Sequence, residues 1–502
     1  MERAIYVPFD NLHRGFGALK TADPKRDLII FVESQRMLAS RRWHLQRLWF
    51  MISAARHFAD ELSKAGFVVS YQKAESTSQG IKAAITEAGA TGLKINTVIA
   101  TAPNSFRLTQ ELTGLVEFEP NDFFLTDRQE FIDWASSQKS LLMENFYRNQ
   151  RKRLSILMDG DKPVGGAWNF DKENRLSPPK SYDYPPYLNH PLDQLDKEVL
   201  QELLDSDLKL WGDEPKQTWG TTRGAALKQL DYFLTHHFAN FGPYEDAMVK
   251  ENWAFHHSLL SPYLNIGLIH ASEVIDAVRK RYQKGDIPLA SCEGFIRQVI
   301  GWREYINGVY WFFGDEYRNQ NKFEMNRPLL PLFHDAKKTK MACVSTQISD
   351  LQARAWVHHI PRLMVLSNLA LLTGIKPLEF LNWMREVFID AADWVMVPNV
   401  IGMGVHADGG QMMTKPYISG GSYISRMSNY CKGCPYDPKL RTGENACPFT
   451  NLYWNFLAEH EAEFTKNHRM FQQINGLKRL KDLKEVRAES QRILEGLSRG
   501  EI

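Results

Sequence analysis

The sequence has little that would tie it to a membrane, to export or to a strong overall charge. No apolar run among its 502 residues approaches the ~20 residues that span a bilayer. The start shows no signal-peptide pattern, so we expect a cytoplasmic protein with no membrane partner. The net charge is only +2, which excludes a global attraction to nucleic acid. Any DNA site therefore has to be a local patch.

Cysteine is also scarce. The five residues are Cys292, Cys343, Cys431, Cys434 and Cys447, and an odd number without an export signal argues against disulfides. Cys431 and Cys434 form a Cys-x-x-Cys pair, Cys447 follows, and Cys343 can join from a distance. Four thiolates hold either a zinc ion or a 4Fe–4S cluster, and the proline after Cys434 and Cys447 favours the cluster. Cys292 lies in an apolar helical stretch and is expected to be an inert thiol.

The N-terminal part alternates short apolar runs with helical patterns. Strands are predicted at Ala4–Val7, Leu28–Val32, Phe67–Tyr71, Val98–Thr101 and Leu115–Phe118. The clearest helix between them is Trp43–Ala65. This alternation predicts a parallel, doubly wound sheet, whose ligands lie beyond the carboxyl ends of its strands. Those ends fall near Phe9–Asn11 and Glu33–Ser34, and no G-x-G-x-x-G follows a strand, so a dinucleotide is not expected there.

The remainder of the chain is predicted to be helical. Ser140–Ile156 carries a basic cluster that would suit phosphates or a solvated helix face, and Ser177–Pro191 is a Pro- and Tyr-rich connection. We expect an α/β domain at 1–135, an interdomain helix and linker at 136–220, and a helical domain at 221–502. Phe295–Phe313 is apolar but contains charged residues, which predicts that it faces a polar ligand as well as the core.

The stretch from His358 to Cys447 concentrates the residues that suit chemistry. It contains His358 and His359, an arginine at 362, an aspartate at 390 and three of the cysteines. We interpret it as a flavin pocket beside a metal site. Upstream, His257–Leu264 predicts a helix start, where hydroxyls and free amides can hold a diphosphate.

Several long motifs, in order along nearly the whole chain, resemble one known family. They are SLLMENFYRNQRKR, GGAWNFDKENR, HHSLLSPYLNIGL, EGFIRQVIGWREY, HHIPRL, PNVIGM, HADGG, TKPY and the four-cysteine set. The sequence is similar to the iron–sulfur bacterial cryptochromes and photolyases, and within them to the prokaryotic (6-4) photolyases. The resemblance implies a Rossmann-like α/β antenna domain followed by an all-α domain that binds FAD and a 4Fe–4S cluster.

The resemblance also implies roles for individual residues. The flavin diphosphate would lie on Ser258, Leu259, Leu260 and Ser261, and the Arg362–Asp390 pair would lie beside the isoalloxazine ring. Other residues of the same bowl would be Phe295, Gln298, Arg303 and Asn399. Cys343, Cys431, Cys434 and Cys447 would ligate the cluster. The lesion of UV-damaged DNA would face the catalytic His359 and His358 together with Met51, Tyr417 and Tyr423. A 6,7-dimethyl-8-ribityllumazine antenna would lie near Asp10, Asn11 and Glu33.

The sequence departs from the family pattern in three respects. Phe9-Asp10-Asn11-Leu12 replaces Gly-Asp-Gln-Leu and Met37 replaces a carboxylate, which weakens the antenna prediction. Met396 occupies the place of a polar group opposite flavin N5, and a thioether cannot donate a hydrogen bond. Asp335 and Met384 occupy the places of aromatic relay residues, leaving only Trp383 of the expected electron route.

We therefore expect a monomeric, light-driven enzyme that repairs (6-4) photoproducts. The reaction needs one electron from reduced FAD and a proton transfer near the displaced group, for which histidine is the best suited side chain at neutral pH. A blue-light photoreceptor with the same cofactors is one alternative. A flavin-free helical scaffold with a zinc site that binds nucleic acid is the other.

Overall fold

A five-stranded parallel sheet forms the N-terminal part of the computed structural model, which describes residues 2–502. Its strands are β1 (Arg3–Tyr6), β2 (Asp27–Ser34), β3 (Val68–Ala74), β4 (Thr97–Thr101) and β5 (Glu117–Glu119). They lie in the order β3-β2-β1-β4-β5, and every neighbouring pair is parallel. The prediction of a doubly wound sheet is confirmed, with strand ends shifted by up to three residues.

The alternation of side chains along β2 explains why this sheet is covered on both faces. All eight residues of β2 are buried. Ile29 and Phe31 belong to one hydrophobic core, whereas Leu28 and Ile30 belong to another on the opposite face. The central residues Leu28–Val32 are all apolar, as expected for a strand whose successive side chains point to two buried faces.

Helices make up most of the rest. Those of the first half are α1 (Gln35–Leu38), α2 (Leu45–Lys64), α3 (Thr77–Ala90), α4 (Phe106–Leu112), α5 (Arg128–Ser136), α6 (Met143–Leu154), α7 (Gln194–Leu204), α8 (Arg223–His236) and α9 (Phe238–Phe241). A small hairpin, β6 (Met158–Asp159) and β7 (Lys162–Pro163), follows α6. The predicted connection at Ser177–Pro191 is confirmed as a segment without regular structure.

The second half adds α10 (Ser261–Asn265), α11 (Ala271–Gln283), α12 (Leu289–Ile296), α13 (Glu304–Phe313), α14 (Ala342–Arg354), α15 (Asn368–Leu372), α16 (Pro377–Val387), α17 (Asp393–Val397), α18 (Gly421–Met427), α19 (Pro448–Glu459), α20 (Glu461–Phe464), α21 (Phe471–Lys478) and α22 (Leu483–Arg499). Three segments are π-helical: π1 (Arg297–Arg303), π2 (Pro361–Ser367) and π3 (Pro398–Gly404). No helix within residues 2–502 combines the length and the apolar character needed to cross a bilayer.

One large hydrophobic core joins the sheet to the helices. Ile29 and Phe31 share it with Leu260 and Phe295 of the C-terminal half, and the rings of Phe50 and Tyr263 lie 5.8 Å apart across it. The sheet itself ends at residue 119. The division into 1–135, 136–220 and 221–502 stays a prediction. Residues of all three parts pack in this one core.

The basic cluster on α6 is mostly engaged within the protein. Arg151 is fully buried and donates hydrogen bonds to the backbone carbonyls of Ile156 (3.3 Å) and Trp168 (2.9 Å). Arg148 pairs with Glu144 one turn away at 2.9 Å. A phosphate-binding role does not fit Arg151, since none of its guanidinium surface is exposed.

We expect Gly308→Ala to destabilise the protein. A Cβ on Gly308, in α13, would lie 2.1 Å from the ring of Phe131 in α5. Overpacking of this kind costs about 1–3 kcal/mol of unfolding free energy. Gly89→Ala in α3 is the matched control, because its Cβ would meet nothing within 4 Å. That variant should gain about 0.5–1 kcal/mol. Thermal unfolding checks both, and an unchanged Gly308→Ala would contradict the tight α5–α13 contact.

A candidate active site at three π-helical segments

All three π-helical segments carry residues that the resemblance assigns to the cofactor. Gln298 and Arg303 lie in π1, Arg362 in π2 and Asn399 in π3. A π turn shifts the register of a helix by one residue and is frequent at functional sites. The predicted helix Phe295–Phe313 is thus interrupted where its charged residues occur. The coincidence marks this region as the candidate site.

Arg362 and Asp390 form a buried, two-point ion pair. Arg362 Nη1 and Nη2 lie 3.0 and 2.9 Å from Asp390 Oδ1 and Oδ2, and Arg362 Nε donates to the Val357 carbonyl at 2.7 Å. Asp390 is only 5% exposed. Such planar, bidentate pairs fix both side chains, which suits a group that has to hold a flat ring in one orientation.

The Ser258–Ser261 segment is attached directly to this pair. Ser261 Oγ donates to Asp390 Oδ2 at 2.6 Å, and Asn265 Nδ2 donates to the Asp390 carbonyl at 2.8 Å. Leu259 has a φ of +58°, in the left-handed region that a leucine rarely adopts. Strain of this kind persists where the surrounding structure imposes it, often at ligand sites.

Arg303 is a buried cation with only neutral partners among its hydrogen bonds. It donates to Asn265 Oδ1 at 2.9 Å and to the Leu264 carbonyl at 3.3 Å, while its Nε has no partner. Its guanidinium lies against the rings of both Phe124 and Trp394, and burial lowers the pKa of Arg303 to about 10. A buried arginine in this state favours an anionic ligand nearby.

Two other predicted cofactor residues have mainly internal contacts. Phe295 packs in an aromatic cluster, with ring centres 4.9 Å from Phe233 and 5.4 Å from Phe241. Asn399 Nδ2 donates to the Val395 carbonyl at 2.8 Å. Met396 lies in α17, two residues before π3 begins, and is buried. The cofactor roles of Phe295 and Asn399 stay predictions.

Three histidines converge beside the ion pair. The rings of His257 and His358 stack with centres 4.2 Å apart, and the ring of His359 lies 5.3 Å from that of His257. Burial lowers the pKa of both His257 and His358, so these two imidazoles are neutral. His359 keeps 46% of its side chain exposed, and its Nε2 lies 3.8 Å from Asp246 Oδ1. The exposed histidine is the one that an incoming ligand can reach.

Two of the predicted lesion residues, Tyr417 and Tyr423, are influenced by the carboxylate beside His359. Burial raises the pKa of both Tyr417 and Tyr423, and the charge of Asp246 adds to that effect in each case. The same carboxylate neighbours His359. Met51 is partly buried on α2, one turn beyond Arg47, whose guanidinium donates to the Phe388 carbonyl at 3.0 Å.

Sequence reasoning missed His257 and Glu245 as members of this site. His257 was visible only as part of a helix-start motif, and nothing marked Glu245. In the structure, Gln298 Nε2 donates to Glu245 Oε1 at 2.6 Å, and burial raises the pKa of Glu245 to about 7. A carboxyl group in an isolated loop gives no periodic or spacing signal.

The residues of this bowl fit a polar cofactor. Several buried side-chain atoms around the bowl have no hydrogen-bond partner within residues 2–502: Arg303 Nε, Glu245 Oε2, His257 Nε2, His358 Nδ1 and Arg297 Nη2. Buried donors and acceptors without partners are rare in folded proteins. Their concentration here indicates that a ligand completes them.

The four predicted metal ligands come together in a second, small cavity. Cys343, Cys431, Cys434 and Cys447 line it with Met341, Ile424 and Tyr430. Burial raises the pKa of the Cys343 thiol, and the three other thiols raise it further, so a bound metal would be needed to keep four thiolates here. Cys292 is buried elsewhere, as expected for an inert thiol.

Two features of this cavity fit thiolate ligands to a metal. Cys447 is the N-cap residue of α19, and the backbone N–H groups of Phe449 and Thr450 oppose the rise that burial causes in the pKa of its thiol. Gly421 lies so close to the site that a Cβ there would be 2.7 Å from Cys447 Sγ. The backbone thus approaches the sulfur closely, as do the groups that orient metal ligands.

The predicted antenna residues fit a chromophore only in part. Glu33 is 4% exposed and is engaged by Arg56 Nε (2.9 Å) and the Tyr71 hydroxyl (2.8 Å). Asp10 accepts from Asn104 Nδ2 at 3.1 Å. Asn11 Oδ1 alone is buried without a partner. All three lie at the carboxyl ends of β1 and β2, as predicted.

The predicted electron carrier, Trp383, is fully enclosed. Its Nε1 donates to the Phe333 carbonyl at 2.9 Å, and its ring lies 6.4 Å from that of Phe388. Phe388 in turn lies 4.0 Å below the Arg362 guanidinium. The aromatic contacts therefore lead from Trp383 towards the ion pair, and the role of Trp383 stays a prediction.

The fold is similar to that of two proteins of known structure, a photolyase and a cryptochrome. The structure superimposes on a bacterial class III photolyase from Agrobacterium tumefaciens with a TM-score of 0.61 and 17% identity, covering 93% of this chain and 98% of the other. It superimposes on a cryptochrome from Synechocystis with a TM-score of 0.54 and 15% identity, covering 80% and 82%. At these identities the likeness concerns the fold.

Sequence comparison is more specific. Residues 5–219 match a family model described as deoxyribodipyrimidine photo-lyase-related protein. Over 489 residues, 94% of each chain, the sequence is 40% identical to a (6-4) photolyase from Agrobacterium fabrum. The chain therefore belongs to the photolyase family, on the branch of the bacterial (6-4) photolyases.

Proposed function

We propose that this protein is a light-driven repair enzyme that reverts (6-4) photoproducts in UV-damaged DNA. The observation that carries the proposal is the exposed His359 beside the neutral His257 and the buried, neutral His358, next to the Arg362–Asp390 pair. Family membership supports the same reaction. The test is light-driven repair of an oligonucleotide with one defined (6-4) lesion. Binding without repair would favour a photoreceptor instead.

The reaction returns a hydroxyl or amine group to the base from which it was displaced. When bound, reduced FAD supplies one electron after absorbing light. His359 exchanges a proton with the displaced group, because it is the member of the histidine cluster that a base can reach. His358 and His257 stay neutral through burial, so they avoid placing further positive charge beside His359.

The lesion has to leave the duplex to reach this site, and damage lowers the cost of extrusion. The opening around Tyr417, Tyr423 and Met51 would receive it. Aromatic side chains suit this position because they stack on unpaired bases. We propose that the enzyme acts as a monomer, with UV-damaged DNA as its macromolecular partner.

FAD and a 4Fe–4S cluster are the proposed cofactors. Support for FAD comes from the strained Leu259, the Ser261–Asp390 contact and the unpaired buried atoms of the bowl. Ser258, Leu259, Leu260, Ser261, Gln298, Arg303, Arg362 and Asp390 would hold it. The four converging cysteines support the cluster, and zinc is the alternative metal for the same ligands.

A ribityllumazine antenna is the least supported of the proposed groups. It rests on the resemblance, on Asn11 Oδ1 and on the position of Asp10, Asn11 and Glu33 at the sheet edge. Glu33 would have to exchange its bonds with Arg56 or Tyr71 to contact such a ring. Fluorescence of the chromophores released from purified protein tests this proposal.

We expect Asp390→Ala to purify with little flavin. Removing one partner of a buried ion pair leaves the other charge uncompensated, at a cost of about 3–5 kcal/mol. The matched control is Asp482→Ala, which breaks the partly exposed Arg441–Asp482 pair (2.7 Å) far along the chain. Flavin content per protein is measured from the absorption spectrum. A fully loaded Asp390→Ala protein would show that the ring lies elsewhere.

We expect Cys434→Ser to lose iron and to purify in lower yield, because metal binding is coupled to folding around the thiolates. Cys292→Ala is the control and should keep the iron content of the wild-type protein. Iron, sulfide and zinc are measured on both variants. If the wild-type protein contains one zinc and no iron, the four cysteines bind zinc and the cluster prediction is wrong.

We expect His359→Asn to keep its cofactors and most of its affinity for lesion DNA. Repair yield per absorbed photon should fall by about 10²–10⁴-fold, as is typical when a general acid or base is lost. His358→Asn should be milder, because His358 is buried and acts through its neighbour. Binding is measured separately at fixed salt. Unchanged repair by His359→Asn would make the histidine pair structural.

A further inference from the structure

Arg47 is a buried cation that reaches from the α/β half of the chain towards the candidate flavin site. It lies in α2 and is 9% exposed. Its Nη1 donates to the Phe388 carbonyl at 3.0 Å and to the Ile389 carbonyl at 3.4 Å, and its Nε has no partner among residues 2–502. These carbonyls belong to the two residues directly before Asp390. Arg47 therefore holds the backbone that carries one member of the Arg362–Asp390 ion pair.

The binding of backbone carbonyls at this end of α2 does not by itself require a charged side chain. Gln46, the preceding residue, is 1% exposed and carries no charge. Its Nε2 donates to the carbonyls of Asp213 (3.0 Å), Glu214 (3.2 Å) and Ala353 (2.8 Å). A neutral amide thus serves this purpose one residue away, whereas a buried arginine that binds only neutral carbonyls is costly. The charge of Arg47 needs a separate explanation.

The group that best explains this charge is the Asp390 carboxylate. Burial lowers the pKa of Arg47 to about 10, and the largest opposing influence is the charge of Asp390. Asp393 acts on Arg47 in the same sense to a lesser extent. Attraction between two charges is mutual, so Arg47 attracts the Asp390 carboxylate in turn. Asp390 is therefore attracted by two arginines, by Arg362 through direct contact and by Arg47 at longer range.

The segment before α17 is also held by contacts from the helical half. Asn265 Nδ2 donates to the Asp390 carbonyl at 2.8 Å, and the Ile389 N–H donates to the Ala355 carbonyl at 2.9 Å. Arg47 adds a contact from the α/β half, so the two halves of the chain hold this segment between them. Side chains that bind a ligand have to be kept within about 0.5 Å of their working positions by the residues that support them.

We propose that Arg47 is a positioning residue of the flavin site, which fixes the Phe388–Ile389 backbone and attracts the Asp390 carboxylate into the orientation in which it holds the flavin ring. This inference rests on the proposed function, because it takes the Arg362–Asp390 pair as the place of the ring. Retention of the flavin therefore depends on the charge of a residue in the α/β half.

The test measures how fast purified holoenzyme releases its flavin, followed by the rise of flavin fluorescence at fixed temperature and salt. Arg47→Gln keeps a hydrogen-bond donor but removes the charge. It should release flavin about 10-fold faster, the scale of one hydrogen bond to a charged group. Arg47→Lys keeps the charge and should release flavin at close to the wild-type rate. Wild-type release from Arg47→Gln, or equally fast release from both variants, would overturn the inference.

The reduction potential of the bound flavin is a second readout, which a purely structural role of Arg47 would not change. Arg47→Gln removes a positive charge near the site, so its flavin should become harder to reduce and its midpoint potential more negative. Arg47→Lys should keep the wild-type potential. An unchanged potential in Arg47→Gln would overturn the role of the charge.

Gln46→Met is the matched control for the loss of a buried donor from the same end of α2. It leaves carbonyls unpaired and should lower the temperature of thermal unfolding. Its flavin release and midpoint potential should stay at the wild-type values, because Gln46 carries no charge. Flavin release from Gln46→Met as fast as from Arg47→Gln would assign the effect to a weakened contact between the two halves and overturn the inference.

Failure of the proposed function would look different. A wild-type holoenzyme that binds flavin but repairs no lesion would reject the repair reaction and leave both flavin measurements in force. A wild-type protein that purifies without flavin would reject the cofactor. The crystal structure of Arg47→Gln would then decide the positioning, because the Asp390 carboxylate should have moved relative to Arg362. An unmoved Asp390 would overturn the inference on its own.

Discussion

The buried ion pair of Arg362 and Asp390 is the interaction on which the rest of the site depends. It joins three parts of the chain that are distant in sequence: the π2 segment, the residues before α17 and, through Ser261, the loop with the strained Leu259. Trp356 Nε1 adds a 3.3 Å contact to the same hydroxyl. Because the desolvation of both charges has to be offset by exact geometry, the pair admits few alternative arrangements of these segments.

The sheet was predictable because its signal is local. Each strand is a short apolar run between polar segments, so β1, β2 and β4 could be located to within a few residues. The Arg362–Asp390 contact beside the cofactor could be expected only from the family resemblance, whereas the spacing of the cysteines already indicated a metal site. Spacing alone did not distinguish a zinc ion from an iron–sulfur cluster, because both bind the same thiolate ligands.

What could not be predicted depends on contacts between distant residues. The π turns interrupt stretches whose apolar periodicity is that of continuous helices, since inserting one residue does not change composition. Glu245 belongs to a loop without pattern, and its partner Gln298 is 53 positions away. Arg151 illustrates the opposite error: in sequence it belongs to a basic cluster, but tertiary packing buries it completely.

The shared core of the two halves has a consequence for how this architecture can change. Phe31 and Trp49, on the sheet side, pack in the same core as Leu260 and Phe295, which lie beside the candidate site. The N-terminal half therefore has its own fold and also supports the catalytic half by packing against it. Such a half cannot be exchanged or deleted as a module, even in a lineage that has lost the antenna, because its removal would expose the core behind the Ser258–Ser261 loop. The α/β half would thus be retained by selection on repair alone.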